Sequence, residues 1–286
     1  MDHSNTPPFL GDHIGLIAGN GQFPREFMEN ARARGISVSV VAIRGEADPT
    51  LQSLARNWEV VGIGQLNKML RALKRFGVSK AAFAGGVTRV RFLDGIRIDW
   101  RSVRMLAGLR SFNDDALLRA IIGEVEKEGI VVISATVLLE ESVPKPGLLT
   151  RRGLTASEVE NGIQGWTVAR TVGGLDIGQS VILRNKTVIA VEAVEGTDAT
   201  IRRAGEMQGD GGVLVKLAKP MQDLRVDLPT IGKTTIEEMA KSRLTALIIE
   251  AGRSIILKPQ EVIDTANRSG ISIHAVAEQG EIKEIL

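Results

Sequence analysis

Short apolar runs that stop at glycine, each followed by a helical stretch, limit what the first half of this chain can become. Residues 14–18 form such a run, ending in Gly19-Asn20-Gly21. Pro24 stands where a helix can begin, Phe27 and Met28 supply its apolar face, and Gly35 closes it. Residues 36–43 read as a second strand. A helix is predicted over 66–76, stopped by Gly77, and then a strand over 80–84 that runs into Gly85-Gly86. Asn113 caps a further helix whose buried face carries Leu117, Leu118, Ile121, Ile122 and Val125, and 130–133 is another strand. This rhythm predicts an α/β fold, an N-terminal Rossmann-like domain whose parallel sheet is covered on both faces.

Residues 142–147 (SVPKPG) break the rhythm. A chain of 286 residues also exceeds what one core usually holds, so two domains are predicted. The boundaries are a flexible tail at 1–13, a nucleotide-binding domain at 14–142, a linker at 143–150, and a mixed α/β catalytic domain at 151–286. In the second half, 179–183 and 187–193 flank Arg184-Asn185-Lys186, which reads as a hairpin turn. Helices near 198–207, 235–243 and 259–269 and strands at 213–217, 246–250 and 271–276 follow in a less regular order.

Composition removes several kinds of chemistry. With no cysteine there is no thiol nucleophile, disulfide or thiolate metal site. The 36 basic and 34 acidic residues nearly balance, which gives no support for a nucleic-acid surface. No apolar stretch approaches the roughly 18 residues that a membrane span needs, and the polar start lacks a signal-peptide pattern, so a cytoplasmic protein is expected. His3, His13 and His274 have no partner at metal-ligand spacing.

Residues 188–232 concentrate what chemistry remains. Glu192, Glu195, Asp198, Asp223 and Asp227 share this stretch with Lys216, Lys219 and Arg225, all after short apolar runs. Charged groups at the ends of buried strands must be hydrated, paired or bound to an ion. Acids mixed with lysines suit an anionic substrate held by a divalent cation, which points to phosphate chemistry. Alternation puts Val188, Ala190 and Glu192 on one strand face, while 195–198 can equally be a capping turn. Asp223, Arg225 and Asp227 fall at i, i+2 and i+4, so an extended chain aims all three one way, as a metal and phosphate site or as a surface ladder. Strand–GNGQFP–helix suits a phosphate or nucleotide, or is a tight turn only. Pro24 in place of the third glycine departs from the dinucleotide fingerprint, and no P-loop lysine follows.

Taken together, IGLIAGNGQFP, GGVTR, NDDALLRAI, GLDIGQSVIL, VEAVEGTD and the VLVK–KP–QD–R–DLPTIG series resemble the LpxI family over residues 14 to 280. That family comprises UDP-2,3-diacylglucosamine pyrophosphatases of lipid A biosynthesis in Gram-negative bacteria. The resemblance implies a cytoplasmic homodimer, each chain holding a lipid-linked UDP-sugar between two domains. It implies hydrolysis to UMP and 2,3-diacylglucosamine 1-phosphate (lipid X), assisted by Mg2+ or another divalent cation, with water attacking the sugar-side phosphorus.

On that footing Asp223 is the first choice to position metal or water and Asp227 the second, with Glu192, Glu195 and Asp198 in support. Lys216, Lys219 and Arg225 hold phosphates. Gly19, Gly21, Gly85, Gly86, Thr88, Asp176, Gln179, Thr197 and Gln222 contact the substrate. Met221 stands where the family usually has glycine, so a strained loop is expected if that position needs positive φ. Two acyl chains require an apolar channel opening near the inner membrane, where loose contact is expected. The rival readings are a nucleotide-dependent oxidoreductase, which Pro24 argues against, and a non-catalytic nucleotide-sugar binding or scaffold protein.

Overall fold

The structure, a computed structural model, describes residues 11–87, 98–109, 114–207 and 209–284. Residues up to Glu140 and the short segment Asp223–Asp227 form one compact unit, and the remainder forms a second. Sequence order alone assigns 223–227 to the second domain, but by packing these five residues go with the first.

The first unit runs β1 (His13–Ala18), α1 (Phe23–Ala33), β2 (Ser37–Ile43), β3 (Asn57–Val61), α2 (Leu66–Phe76), β4 (Lys80–Ala84), α3 (Trp100–Ala107), α4 (Asp114–Lys127) and β5 (Val131–Val132). Its strands lie in the order β3-β2-β1-β4-β5, all parallel. The expected parallel α/β sheet is present, and its inner strands bury both faces. Ile14, Leu16, Val38 and Val40 pack with Phe27, Met28 and Ala31 of α1, while Ile17, Val41 and Phe83 pack with Leu70 and Leu73 of α2 and Val125 of α4. The strand order reverses between β1 and β4. In such sheets ligands gather beyond the strand ends at that reversal.

The second unit runs β6 (Gly147–Leu148), α5 (Ala156–Gly174), β7 (Ser180–Arg184), β8 (Thr187–Val191), α6 (Thr197–Gly205), β9 (Val213–Lys216), β10 (Thr230–Ile231), α7 (Lys233–Lys241), β11 (Ala246–Glu250), β12 (Ile255–Ile256), α8 (Pro259–Arg268), β13 (Ser272–Val276) and α9 (Gln279–Lys283). The main sheet is β6-β13-β11-β9-β7-β8. Its core β9, β11 and β13 are parallel, and β6, β7 and β8 join antiparallel. Asn185 and Lys186 both have positive φ, which matches the twist of the β7–β8 hairpin.

One expectation needs correction here. Residues 147–148, inside the predicted linker, form an edge strand bonded to β13. The glycine-rich stretch 162–174, for which no element is predicted, is most of the 19-residue helix α5, started by a capping box between Thr155 and Glu158. Gly165 explains its tolerance: a Cβ there would come within 2.6 Å of Val215 and 2.9 Å of Leu183, so glycine lets α5 lie close on β9 and β7.

Candidate active site

In the first unit, the turns after β1 and β4 clasp each other at the sheet's reversal point. Asn20 N–H donates to the Gly86 carbonyl at 2.7 Å, and Gly19 N–H donates to Ala84 O at 2.9 Å. Glycine is required at Gly19, where a Cβ would stand 2.2 Å from Gly86 O. Gly85 needs it twice over, with φ of +86° and a virtual Cβ 2.3 Å from Asn20 O. Gly21 also has positive φ, and α1 begins two residues later. Beside these turns lies a cavity of about 270 Å³. Gly19, Gly85, Gly86 and Asp227 contribute to its wall, but the bulk is apolar and includes Ile17, Met69, Phe83, Ile121 and Val226. Thr88 lies outside the described residues.

The segment carrying Asp223, Arg225 and Asp227 is a turn, not the extended ladder that its spacing predicts. Val226 and Asp227 both donate backbone N–H to the Asp223 carbonyl, at 3.1 and 3.0 Å. The Arg225 guanidinium grips the Asp223 carboxylate with two nitrogens, Nε to Oδ1 at 3.0 Å and Nη2 to Oδ2 at 2.8 Å, and reaches Glu126 at 2.8 Å. This grip, outweighing partial burial, holds the Asp223 carboxyl below the usual range, and raises the already high Arg225 pKa. Arg225 is therefore spoken for by carboxylates within its own unit. Met221 is 65% exposed and its φ is not positive, so the missing glycine costs that backbone no strain.

In the second unit, the end of β9 assembles a basic site. Lys216 is only 3% exposed, and its ammonium donates to Thr197 Oγ1 at 2.6 Å, at the first turn of α6. Ser180 Oγ lies 3.4 Å from the same hydroxyl. No carboxylate forms an ion pair with Lys216 among the described residues. Lys219, also buried, pairs with Asp176 at 2.5 Å, and its backbone N–H is held by Gln222 Oε1 at 2.9 Å. Gln179 takes the Leu217 N–H on its carbonyl, and its buried Oε1 has no partner. Thus Lys216, Thr197, Lys219, Asp176, Gln179 and Gln222 all gather around the end of β9.

Two groups that residue patterns do not reveal hold this end in place. Arg170 of α5 donates to Ala218 O at 2.9 Å and to Glu250 Oε1 at 2.5 Å, and Glu250 accepts the Ala218 N–H at 3.2 Å. Glu250 is 2% exposed, so the pair is a buried brace on the residue between the two lysines.

The family model described as the LpxI N-terminal domain matches residues 13–142, and that of the LpxI C-terminal domain matches 145–274. The chain belongs to the LpxI family. It is similar to the UDP-2,3-diacylglucosamine pyrophosphatase LpxI of Caulobacter vibrioides, 36% identical over 277 residues that cover 93% of this chain and 98% of that one. Likeness to solved structures is remote. The ADP complex of purK, an N5-carboxyaminoimidazole ribonucleotide synthetase, aligns at TM-score 0.26 and 12% identity over 66% of this chain and 43% of that one. The Thermotoga maritima synthetase aligns at TM-score 0.24 and 15% identity, over 69% and 44%.

Of the carboxylates expected to share a metal, the three in the second unit of this LpxI chain are not gathered into one cage. Glu195 accepts from Arg203 at 2.7 Å, from Thr200, and from the Ala193 N–H, so it serves the turn before α6. Backbone N–H groups, its own first, and then Arg203 hold its carboxyl below the usual range. Asp198 accepts from Thr235 at 3.2 Å. Glu192 is buried, with one carboxylate oxygen lacking a partner. Among the described residues, no three of His, Asp and Glu converge as metal ligands. Mg2+ commonly takes one or two carboxylates and fills its shell with water and substrate phosphate, so either acid of the 223–227 turn has the donor chemistry for it; at Asp223 it would share the carboxylate with Arg225.

Proposed function

We propose that this LpxI chain hydrolyses the pyrophosphate bond of UDP-2,3-diacylglucosamine in lipid A biosynthesis, releasing UMP and 2,3-diacylglucosamine 1-phosphate. The observation that carries the reading is Lys216, a buried ammonium met by one neutral hydroxyl. A cation so placed is costly unless an anion joins it, and a pyrophosphate supplies that anion. The relation to a pyrophosphatase along nearly the whole chain supports this choice among phosphate compounds.

Water adds to the sugar-side phosphorus, the bridging P–O bond breaks, UMP leaves with the electron pair, and the proton lost by the water passes to the departing UMP phosphate or to solvent. Lys216 and Lys219 hold phosphate oxygens and offset charge that would repel the attacking water. Asp223 accepts a hydrogen bond from that water; its lowered pKa suits orientation rather than proton removal. Asp223 or Asp227 would hold a Mg2+ ion, which when bound would supply Lewis-acid polarisation of a phosphoryl oxygen. The cavity beside Gly19 receives an acyl chain. Its apolar wall suits a hydrocarbon tail better than a uracil, whose polar edges need partners. Such a substrate resides in a bilayer, so the protein works at a membrane surface; among the described residues no helix is long and apolar enough to cross one.

The test is UMP release from UDP-2,3-diacylglucosamine dispersed in detergent, with Mg2+, with excess chelator, and with Asp223→Ala. Chelator-sensitive release that the substitution abolishes in a folded protein is the expected result. No release with any divalent cation would sink the reading.

A further inference from the structure

The turn from residue 98 into α3 presents apolar groups to the outside. Ile98 is 48% exposed, Trp100 63% and Val103 55%. Single exposed apolar residues are ordinary, but three within six positions are not. On the helix, Trp100, Val103 and Arg104 fall at i, i+3 and i+4, and so share a face. The opposite side is anchored. Ser102 is 3% exposed and donates to Gly64 O at 2.6 Å, while Asp99 caps the helix through Ser102 N–H and also accepts the Asn67 N–H at 2.7 Å. The apolar face is therefore held outward rather than left loose.

The charges around this face pair off and leave one cation over. Glu124 is held by Arg101 and Lys127, and Glu128 by Arg101 and Lys74. Asp99 serves the cap. Arg104 has no carboxylate partner among the described residues, and it lines an open cavity of about 770 Å³ with Trp100, Met105, Glu124 and Lys127. A tryptophan and aliphatic groups beside one uncompensated guanidinium, Arg104, match the boundary between lipid tails and anionic headgroups.

We propose that the α3 face bearing Trp100, Val103 and Arg104, with Ile98 just before the helix cap, docks this protein onto an anionic phospholipid surface. The proposal rests on the reading above that the substrate lies in a bilayer, and it names the surface that meets it. A second protein is the weaker occupant, because three apolar side chains fall short of the roughly 800 Å² per partner in a stable interface. The apolar groups enter the headgroup boundary, and Arg104 meets phosphate.

The experiment uses the full chain with vesicles of phosphatidylcholine alone or mixed with phosphatidylglycerol, some brominated on the acyl chains. Trp100 is far more exposed than the buried Trp166, and Trp58 packs partly buried against the first unit's core, so the share of bromine quenching lost in Trp100→Phe reports insertion of Trp100. Wild type should sediment with the anionic vesicles, and bromolipid should quench its fluorescence. Trp100→Phe should still sediment while losing most of the quenching. Trp100→Ser with Val103→Ser should lower vesicle affinity about tenfold or more, and Arg104→Ala roughly fivefold on anionic vesicles only. UMP release from detergent-dispersed substrate should be unchanged in all of them, which keeps failure of docking distinct from failure of the reaction. Wild type remaining in solution with anionic vesicles would overturn the proposal. So would equal sedimentation of the double variant, or a dimer that these substitutions split without any lipid binding.

Discussion

Arg225 and Lys216 are both basic groups of the charged stretch, yet their surroundings differ. Arg225 is 44% exposed and closes its charge locally on Asp223 and Glu126. Lys216 is buried and faces a hydroxyl. A charge satisfied by neighbours shapes the fold around it; here it fixes the 223–227 turn and keeps Asp223 ionised. A buried charge left without a counter-charge makes the fold wait for a ligand that brings one. Residue type alone treats the two as equal phosphate binders, and the structure separates them.

The widest gap should appear when the carboxylate that Arg225 holds is removed. Asp223→Ala should cost on the order of a thousandfold in kcat, the scale of losing a group that orients the reacting atoms. Asp223→Asn, which keeps the shape and the turn, should be nearly as inactive. If the asparagine variant instead kept most of the turnover, Asp223 would be a scaffold for Arg225 and no more.

Next come the two lysines, three residues apart on the same strand end. Lys216→Met should lower kcat/KM about a hundredfold while raising stability by about 1 kcal/mol, since it removes a buried charge with no ionic partner. Lys219→Met should lower activity too, but should destabilise by about 2 kcal/mol, because it strips Asp176 of its ion pair. Chemical denaturation of both variants beside wild type reads the signs directly. Two losses of equal size would erase the distinction drawn between satisfied and waiting charge.

How much of this was legible in residues alone varies with how local each signal is. Helix Leu66–Phe76 and strand Lys80–Ala84 match their sequence limits because a left-handed Gly77 and an apolar run mark them locally. β3 escapes notice since Asn57–Val61 is an edge strand of mixed polarity. α5 is hidden because its glycines resemble breaks until β9 is packed beneath them. The same holds for the site. Lys216, Lys219 and Thr197 stand out as residue types at a strand end, whereas Arg170 reaches Ala218 across 48 residues, and Glu250 reaches Ala218 across 32. The period of two in 223–227 misleads because the Asp223 carbonyl captures two N–H groups and curls the chain.

The smallest effect concerns acid. Asp223 has a folded pKa below its unfolded value of 3.8, chiefly through Arg225. The stability tied to that shift is fully present above the unfolded value and disappears as the pH falls through the folded one. Arg225→Met should therefore cost about 0.5 kcal/mol at neutral pH, discounted for the exposure of the guanidinium, and nothing once the carboxyl is protonated in both proteins. The acid limb of the pH–rate profile should also move upward, toward the ordinary carboxylate range, because the unassisted carboxyl protonates sooner. An acid limb unmoved by this substitution would mean that Asp223 is not the group whose ionisation the reaction needs, and Asp227, on the wall of the apolar cavity, would take its place as the residue to replace.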